Sequence, residues 1–306
     1  MSTYHKILAV IHPHKTEHPA LHRAIYLAEK FNAELVLVSC IYDDAVDIPG
    51  ATNNYHLEKM IPTMVEEQKT KLAALALQHA KNVTVTYDAI WHKKLYKGII
   101  ELANNHQCDL IVKSTKKHNS IAQRVFTPTD WKLLRFSPVN VLMVKYNEWP
   151  DNGNIVSALS LDDGDDAHHS LSDQVAKETQ NIANAVNGNI HLMHTYTGAP
   201  VHISVEVPQF NPETYNADIK KKCEDKMNKL IQQYRVDHSE QHVIEGLPED
   251  VVPSLCKQLN AQLLVLGSVG RTGIGAALLG NTAEYVIDKV NCDALVIKPN
   301  SALQSA

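Results

Sequence analysis

Short apolar runs alternate along the chain with longer stretches in which apolar residues recur at helical spacing. An apolar run over residues 7–11 is followed by a polar loop, by a helix predicted from about residue 19 to residue 31, and by a second apolar run over residues 34–42. Continuous apolar strands that alternate with amphipathic helices are typical of a parallel sheet covered on both faces. The pattern therefore predicts an α/β fold.

The second half of the chain opens in the same way. An apolar run over residues 155–159 precedes a polar loop, a helix predicted from about residue 171 to residue 186, and a further strand over residues 189–196. Between the halves, residues 146–154 (YNEWPDNGN) combine proline, glycine and polar side chains, which is the composition of a linker.

The closing part of each half repeats without a gap at an offset of 153 residues, so that residues 110–145 align with residues 263–298. Identities are few, but both segments show an apolar strand, a loop, an amphipathic helix and a second apolar strand. We therefore predict two tandem, doubly wound, five-stranded parallel-sheet domains, over residues 1–147 and 154–300.

A glycine-containing loop follows the strand predicted at residues 263–267. Gly267, Gly270 and Gly280 stand at G-x2-G-x9-G spacing between this strand and a helix. Glycine permits positive φ and close backbone approach, so N–H groups can point at a phosphate with support from the helix dipole. The alternative is that these glycines serve turn geometry alone. Because ligands of α/β sheets collect beyond the carboxyl ends of the strands, the position of the loop favours anion binding.

Residues 267–299 (GSVGRTGIGAALLGNTAEYVIDKVNCDALVIKP) resemble the C-terminal signature of ATP-binding members of the universal stress protein family, G-x2-G-x9-G-(S/T). The resemblance covers nearly all of both halves, and residues 126–135, 246–255 and 280–288 look most like the tandem-domain type. It implies a Rossmann-like fold of the adenine nucleotide alpha hydrolase type. It also implies a site for ATP or another adenine nucleotide in the C-terminal domain only.

In nucleotide-binding members of this family, the glycine loop wraps the phosphates, and an Asp after the first strand helps to hold the nucleoside. Asn281 stands where the family usually has Ser or Thr, and its amide can still donate to a phosphate oxygen. The resemblance thus assigns the following residues to nucleotide binding: Ser160, Leu266, Gly267, Val269, Gly270, Arg271, Gly280, Asn281 and Thr282.

Three features of this half leave alternatives open. The nucleoside Asp is replaced by Ser160, whose hydroxyl makes fewer contacts, and Arg271 is equally consistent with a phosphate partner and with a solvated surface charge. The acidic run over residues 162–166 would hold Mg²⁺ beside the phosphates, but a solvated loop is favoured because its carboxylates would repel an anion.

The first half has lost the glycines of the motif. The aligned positions are Ser114, Lys117 and Thr127, followed by Pro128, and His12 stands at the nucleoside position. Three Cβ atoms and one missing backbone donor prevent the same cradle from forming. We predict that this half does not bind ATP in this way and is a scaffold or binds a different ligand.

Composition narrows the class of protein. The net charge of −5 and the even spread of Lys and Arg argue against nucleic-acid binding. No leader pattern or run of about 18 apolar residues is visible, so we expect a soluble, cytoplasmic protein without membrane insertion. The five scattered cysteines lack CxxC spacing and are predicted to be buried free thiols.

The 17 histidines raise the question of a metal site. The closest grouping is a weak alternative for zinc, favoured less than ordinary surface histidine because no cysteine is near: His12, His14, His18 and His22.

Three functions compete. The first is a non-enzymatic stress-response protein that binds adenine nucleotide and acts through protein partners, supporting survival under stress such as starvation or DNA damage, as the resemblance implies. The second is a slow ATP hydrolase, which the missing P-loop lysine disfavours. The third is a carrier or sensor of another small or lipid-like ligand through inserted segments at residues 43–60 and 197–215, where residues 201–207 alternate like a strand.

The closing strands are candidates for contact between the halves. A tandem fusion of a unit whose single-domain relatives dimerise implies an internal pseudo-dimer formed through residues 139–145 and 293–299, with a homodimer of the whole chain also open.

Overall fold

The computed structural model of the 306-residue chain divides into two compact units, Met1–Tyr146 and Asn147–Ala306. It describes residues 4–44, 46, 54–117, 124–145, 148–161, 166–200, 210–236, 238–268 and 279–299. Strands and helices alternate through both units, as the spacing of apolar residues predicts.

The first unit is a parallel five-stranded sheet covered by helices. Its sheet has the strand order β7-β4-β1-β2-β3, and β5 and β6 form a separate antiparallel pair. The elements are β1 Lys6–Val10, α1 Pro19–Phe31, β2 Glu34–Ile41, α2 Asn54–His79, β3 Val85–Trp91, α3 Leu95–Asn105, β4 Leu110–Ser114, β5 Lys116–Lys117, β6 Arg124–Val125, α4 Pro128–Phe136 and β7 Asn140–Val144.

The second unit repeats this architecture. Its five parallel strands have the order β12-β11-β8-β9-β10. The elements are β8 Asn154–Ala158, α5 Asp166–Val186, β9 Asn189–Tyr196, α6 Pro212–Tyr234, β10 Glu240–Glu245, α7 Pro248–Gln258, β11 Leu263–Gly267, α8 Asn281–Lys289 and β12 Asp293–Ile297. The prediction of two tandem five-stranded parallel α/β domains is confirmed.

The order of the strands reverses at the centre of each sheet. In the first unit β1 lies between β4 and β2, and in the second unit β8 lies between β11 and β9. Loops at the carboxyl ends of such strands diverge and leave a crevice, which is where ligands bind in doubly wound folds. Each unit therefore has one expected site.

The central strands are apolar on both faces because helices cover both sides of each sheet. Ile7, Leu8 and Ala9 of β1 have no exposed surface, and the same holds for Leu263 and Leu264 of β11. These strands form the core that holds the crevices in place.

Three segment boundaries differ from the sequence predictions. Helix α5 begins at Asp166 rather than near residue 171, because the residues before Leu171 carry no apolar periodicity from which a helix could be predicted. The inserted segments at residues 43–60 and 197–215 are also shorter than predicted, since α2 begins at Asn54 and α6 at Pro212. In α2, Pro62 lies inside the helix, whereas proline is usually found in the first turn.

All five cysteines are buried and free, as predicted. Burial raises the pKa of the Cys40 thiol to about 12 and that of the Cys108 thiol to about 12.

Candidate functional site

A cavity of about 170 Å³ lies at the carboxyl ends of β8, β9 and β11 in the second unit. Five of the residues assigned from the sequence line it, although they come from three separate parts of the chain: Ser160, Leu266, Gly267, Gly280 and Thr282. The fold therefore brings these predicted residues to one crevice.

Helices supply the apolar wall of this cavity, through Leu171 and Val175 of α5, Val252 of α7 and Val286 of α8. Sequence reasoning missed three of its polar members, which are Ser172, His194 and Thr195. The available signal was the position of His194 and Thr195 near the carboxyl end of the second strand of the unit, where side chains of a doubly wound sheet reach a ligand.

Hydrogen bonds hold the backbone that follows β8. The Ser172 hydroxyl donates to the carbonyl oxygen of Ser160 at 2.8 Å and lies 3.3 Å from the Ser160 backbone nitrogen. Nδ1 of the buried His194 lies 3.1 Å from the Leu159 carbonyl oxygen and 3.3 Å from the Leu161 backbone nitrogen, so its role depends on the tautomer. Ser160, which stands where the family has Asp, is thus fixed at the cavity wall.

Gly267 is required by packing. A Cβ at this position would lie 2.6 Å from Cδ2 and 2.8 Å from Cγ of Leu171, well inside van der Waals contact. Its φ is not in the left-handed region, and Gly280 has φ −65°, so neither glycine uses the positive φ that this residue type permits. The close approach of other atoms is what excludes a side chain at Gly267.

The start of α8 faces the cavity with open backbone donors. Gly280 is the N-cap, and no side chain of the described residues caps the helix. Glu284 is the first residue whose N–H bonds back to the Gly280 carbonyl, at 3.1 Å. The N–H groups of the preceding first turn therefore lack intrahelical acceptors, and with the helix dipole they favour an anion.

The corresponding helix of the first unit, α4, has a closed start. Thr127 and Asp130 form a capping box, in which the Thr127 hydroxyl lies 3.3 Å from the Asp130 nitrogen and Asp130 accepts the Thr127 N–H at 2.7 Å. Pro128 supplies no N–H. Only one backbone donor of the first turn, at Thr129, remains for an anion.

Several predicted positions are not tested by this geometry. Val269, Gly270 and Arg271 lie outside the described residues, as do residues 162–165 of the acidic run and the predicted strand at residues 201–207. Asn281 is described, and it is exposed at the first position of α8.

The crevice of the first unit contains a larger cavity, of about 520 Å³. Ser114 and Thr127, which align with two of the motif glycines, line it together with His12. Its wall is largely apolar and includes the following residues: Ile11, Ile41, Met64, Trp91, Leu95 and Ile99.

Lysines outnumber carboxylates in the lining of this cavity, which contains Lys15, Lys71, Lys113 and Lys116 as well as Asp43 and Glu67. Lys113 pairs with the fully buried Asp130 at 2.5 Å, whereas Lys15 and Lys116 have no salt bridge with any described residue. Although His12 is exposed by area, desolvation by the cavity walls and repulsion by Lys15 lower its pKa to about 4. Burial, followed by repulsion from Lys113 and Lys116, also lowers the pKa of Lys15.

Ring contacts of the described residues divide the histidines of the weak zinc alternative. The rings of His12 and His14 are 6.1 Å apart, whereas the ring of His22 lies 5.3 Å from that of His79. Within the described part of the chain, one group of His, Cys, Asp and Glu brings three ligand atoms together, and it is elsewhere: His191, Glu240 and His242.

Trp131 of α4 packs against a neighbouring aromatic residue. Its ring stacks on that of Phe126, with centroids 4.6 Å apart.

Among the described helices, none is long and apolar enough to cross a bilayer.

The chain is a tandem repeat of a doubly wound parallel α/β domain. Each domain has a crevice where its strand order reverses, and in the second domain an uncapped helix start lies beside that crevice. The chain belongs to the universal stress protein family, whose family model matches residues 3–145 and 163–298. It is thus a member of a family with a role in the stress response.

Over nearly its full length the chain is similar to proteins named Universal stress protein E. It is 38% identical over 305 residues to that of Photorhabdus laumondii, covering 98% of this chain and 96% of that protein. It is 35% identical over 302 residues to that of Escherichia coli K12, with the same coverage. The crystal structure of a functionally unknown protein from Pseudomonas aeruginosa PAO1 matches with a TM-score of 0.74 and 26% identity, over 99% of this chain and 95% of that one.

Proposed function

We propose that this chain is a non-enzymatic stress-response protein that binds an adenine nucleotide in its second unit. The observation that carries the proposal is the open start of α8 beside the cavity, where Gly280 leaves the first turn without a side-chain cap among the described residues. The phosphate oxygens would accept hydrogen bonds from the N–H groups of Asn281, Thr282 and Ala283. The glycine loop would complete the cradle through Gly267, Gly270 and Arg271.

The size of the cavity indicates which part of the nucleotide would lie inside it and which part would lie at its rim. A volume of about 170 Å³ is below the roughly 300–1,000 Å³ typical of pockets for drug-sized ligands. A base or a nucleoside fragment would occupy the apolar part near Val175 and Val252, and Ser160 would stand beside the ribose. The phosphates would remain at the rim, at the start of α8.

The contrast between the two units restricts this proposal to the second. In α4, the Thr127 side chain occupies one first-turn N–H group and Pro128 has none. In α8, Gly280 cannot cap the helix with a side chain and Asn281 keeps its N–H, so both donors stay available. We propose binding without fast hydrolysis, because the glycine loop is not followed by the lysine of a P-loop.

The decisive experiment closes α8 in the way that α4 is closed. Gly280 has φ −65° and ψ 146°, close to the −84° and 161° of Thr127, so its backbone suits threonine. In Gly280→Thr, the new hydroxyl should accept the N–H of Ala283. Calorimetric titration with ATP should show at least a tenfold loss of affinity, while the free energy of unfolding stays the same or rises by about 0.3 kcal/mol.

Two further variants make this result specific. Gly280→Ala adds the same Cβ without an acceptor, so a smaller loss than in Gly280→Thr would assign the effect to the backbone donors. Thr127→Gly opens α4 instead and should leave ATP affinity unchanged. Equal ATP affinity in wild type, Gly280→Thr and Gly280→Ala would show that the phosphates do not bind at α8.

We also infer a second ligand site, in the first unit, for an anion attached to an apolar group. The cavity of about 520 Å³ lies within the range of ligand pockets, and its apolar wall includes Trp91 and Met64. Lys15 and Lys116 at its rim have no salt bridge with the described residues, and repulsion from Lys113 and Lys116 adds to the larger effect of burial in lowering the pKa of Lys15. An anionic group would relieve this repulsion.

This second site can be probed with anilinonaphthalene sulfonate, a fluorophore that combines an anion with an apolar ring system. The double variant Lys15→Ala and Lys116→Ala should lose at least tenfold in affinity for the probe, because it removes both cations. The charge-matched control, Lys81→Ala with Lys229→Ala, changes exposed lysines away from the cavity and should bind as wild type does. If both double variants bind alike, the cations do not hold a ligand.

A further inference from the structure

A group of metal-ligating side chains lies on the opposite edge of the second sheet from β12. His191 is on β9, and Glu240 and His242 are on the neighbouring edge strand β10. Glu240 pairs with His191 in the register of the parallel strands, and His242 is two residues further along β10. Alternate residues of a strand share a face, so these three side chains project to the same side of the sheet. Gln241 projects to the other side, where it donates to Asn228 of α6 at 2.9 Å.

The distances in this group match the coordination of a small divalent cation. Nδ1 of His191 lies 3.2 Å from Nε2 of His242 and 3.5 Å from Oε2 of Glu240. Three ligand atoms, one from each residue, all lie within 4.8 Å of one another. Around a tetrahedral Zn²⁺ with bonds of about 2.0–2.1 Å, neighbouring ligand atoms are roughly 3.3 Å apart.

The buried ring of His191 has a fixed orientation toward the group. Its side chain is only 6% exposed. Nε2 of His191 is buried without a hydrogen-bond partner among the described residues, so Nδ1 is the nitrogen that faces the group.

The remaining ligand is placed at the surface. The side chain of Glu240 is 71% exposed, so it can rotate to bring its carboxylate onto the ion and leaves room for a water molecule as fourth ligand. We propose that His191, Glu240 and His242 form a zinc-binding site that links β9 to the edge strand β10. Two imidazoles and one carboxylate are a ligand set that zinc uses in proteins.

Zinc titration of the untagged full chain tests this proposal. We expect one ion to bind in calorimetry, and we expect zinc but not Mg²⁺ to raise the melting temperature, because binding to the folded state alone stabilises it. Glu240→Gln is exposed and nearly isosteric, so it should fold normally and lose at least tenfold in zinc affinity. His242→Ala should lose more, and circular dichroism without zinc will show whether it is folded.

His14→Ala is the matched control, since it removes an exposed histidine from the grouping in the first unit. It should bind zinc as wild type does. If Glu240→Gln and a folded His242→Ala retain wild-type zinc affinity, the proposal is wrong, and loss of binding in His14→Ala would place the ion in the first unit instead. If wild type itself binds no zinc, the near contact of the two rings is only a hydrogen bond.

Discussion

A Cβ added at Gly267 would meet Leu171, and this contact gives the first glycine of the loop a role that does not depend on a ligand. The residue ends β11 and packs under α5, which closes one wall of the cavity. A glycine that is recognised through a binding motif can therefore be needed for packing.

We predict that Gly267→Ala lowers the free energy of unfolding by about 1–3 kcal/mol, because overpacking forces Leu171 or the backbone to move. Urea denaturation of Gly267→Ala, Leu171→Ala and the double variant measures the coupling between the two sites. The double variant should be less destabilised than the sum of the single changes. Additive losses would mean that the two residues do not compete for the same space.

Sequence reasoning found the residues of the second cavity more reliably than their physical roles. The motif identified Gly267 and Gly280 without showing that neither has positive φ, since spacing alone does not report backbone angles. His194 was missed because a single histidine within an apolar strand resembles any packed side chain. The contact between His191 and His242 was not predicted, since residues 51 positions apart come together only through strand pairing.

At the scale of elements, α4 and α8 are the same helix with opposite starts. The buried Asp130 both caps α4 and pairs with Lys113, whereas the aligned positions in the second unit hold Ala283 and Leu266. The first unit has thus replaced an open helix start by an internal polar network.

We predict that Asp130→Ala destabilises the chain by about 3–5 kcal/mol, because it removes the cap and leaves Lys113 without its buried partner. Adding Lys113→Leu recreates the pair of the second unit and should recover part of this loss. Urea denaturation of both variants provides the comparison. A double variant that is less stable than Asp130→Ala would show that the Lys113 stem contributes more by packing than its charge costs.

The alternation of strands and helices could be predicted at this scale because both parallel sheets are buried on two faces. Helix starts were harder to predict, as α5 shows, because their polar first turn carries no apolar periodicity. The cap that closes α4 is visible in the sequence as Thr127 followed by Asp130, a pattern that is common enough to be overlooked.

The whole molecule is a repeat whose copies have different crevices. One has a cavity of about 170 Å³ beside an open helix start, and the other has a cavity of about 520 Å³ with a cationic rim. The two domains therefore share one fold but differ in the size and the charge of their cavities.

We predict that residues 1–147 and 154–300 fold as separate domains when they are produced alone. Each fragment should form a homodimer through its closing strand, residues 139–145 or 293–299, if these strands pair the halves in the intact chain. Light scattering after size exclusion gives the mass of each fragment. Monomeric fragments that melt cooperatively would support separate folding and contradict the internal pseudo-dimer.

The burial of the cysteine thiols affects how the folded protein reacts with oxidants. A thiol whose pKa is raised to about 12, as for Cys40 and Cys108, has almost no thiolate at neutral pH, and peroxides and disulfides react with the thiolate. All five cysteines are buried, so the folded chain offers oxidants no exposed thiol. We therefore expect thiol-directed oxidants to modify these cysteines mainly in molecules that have unfolded.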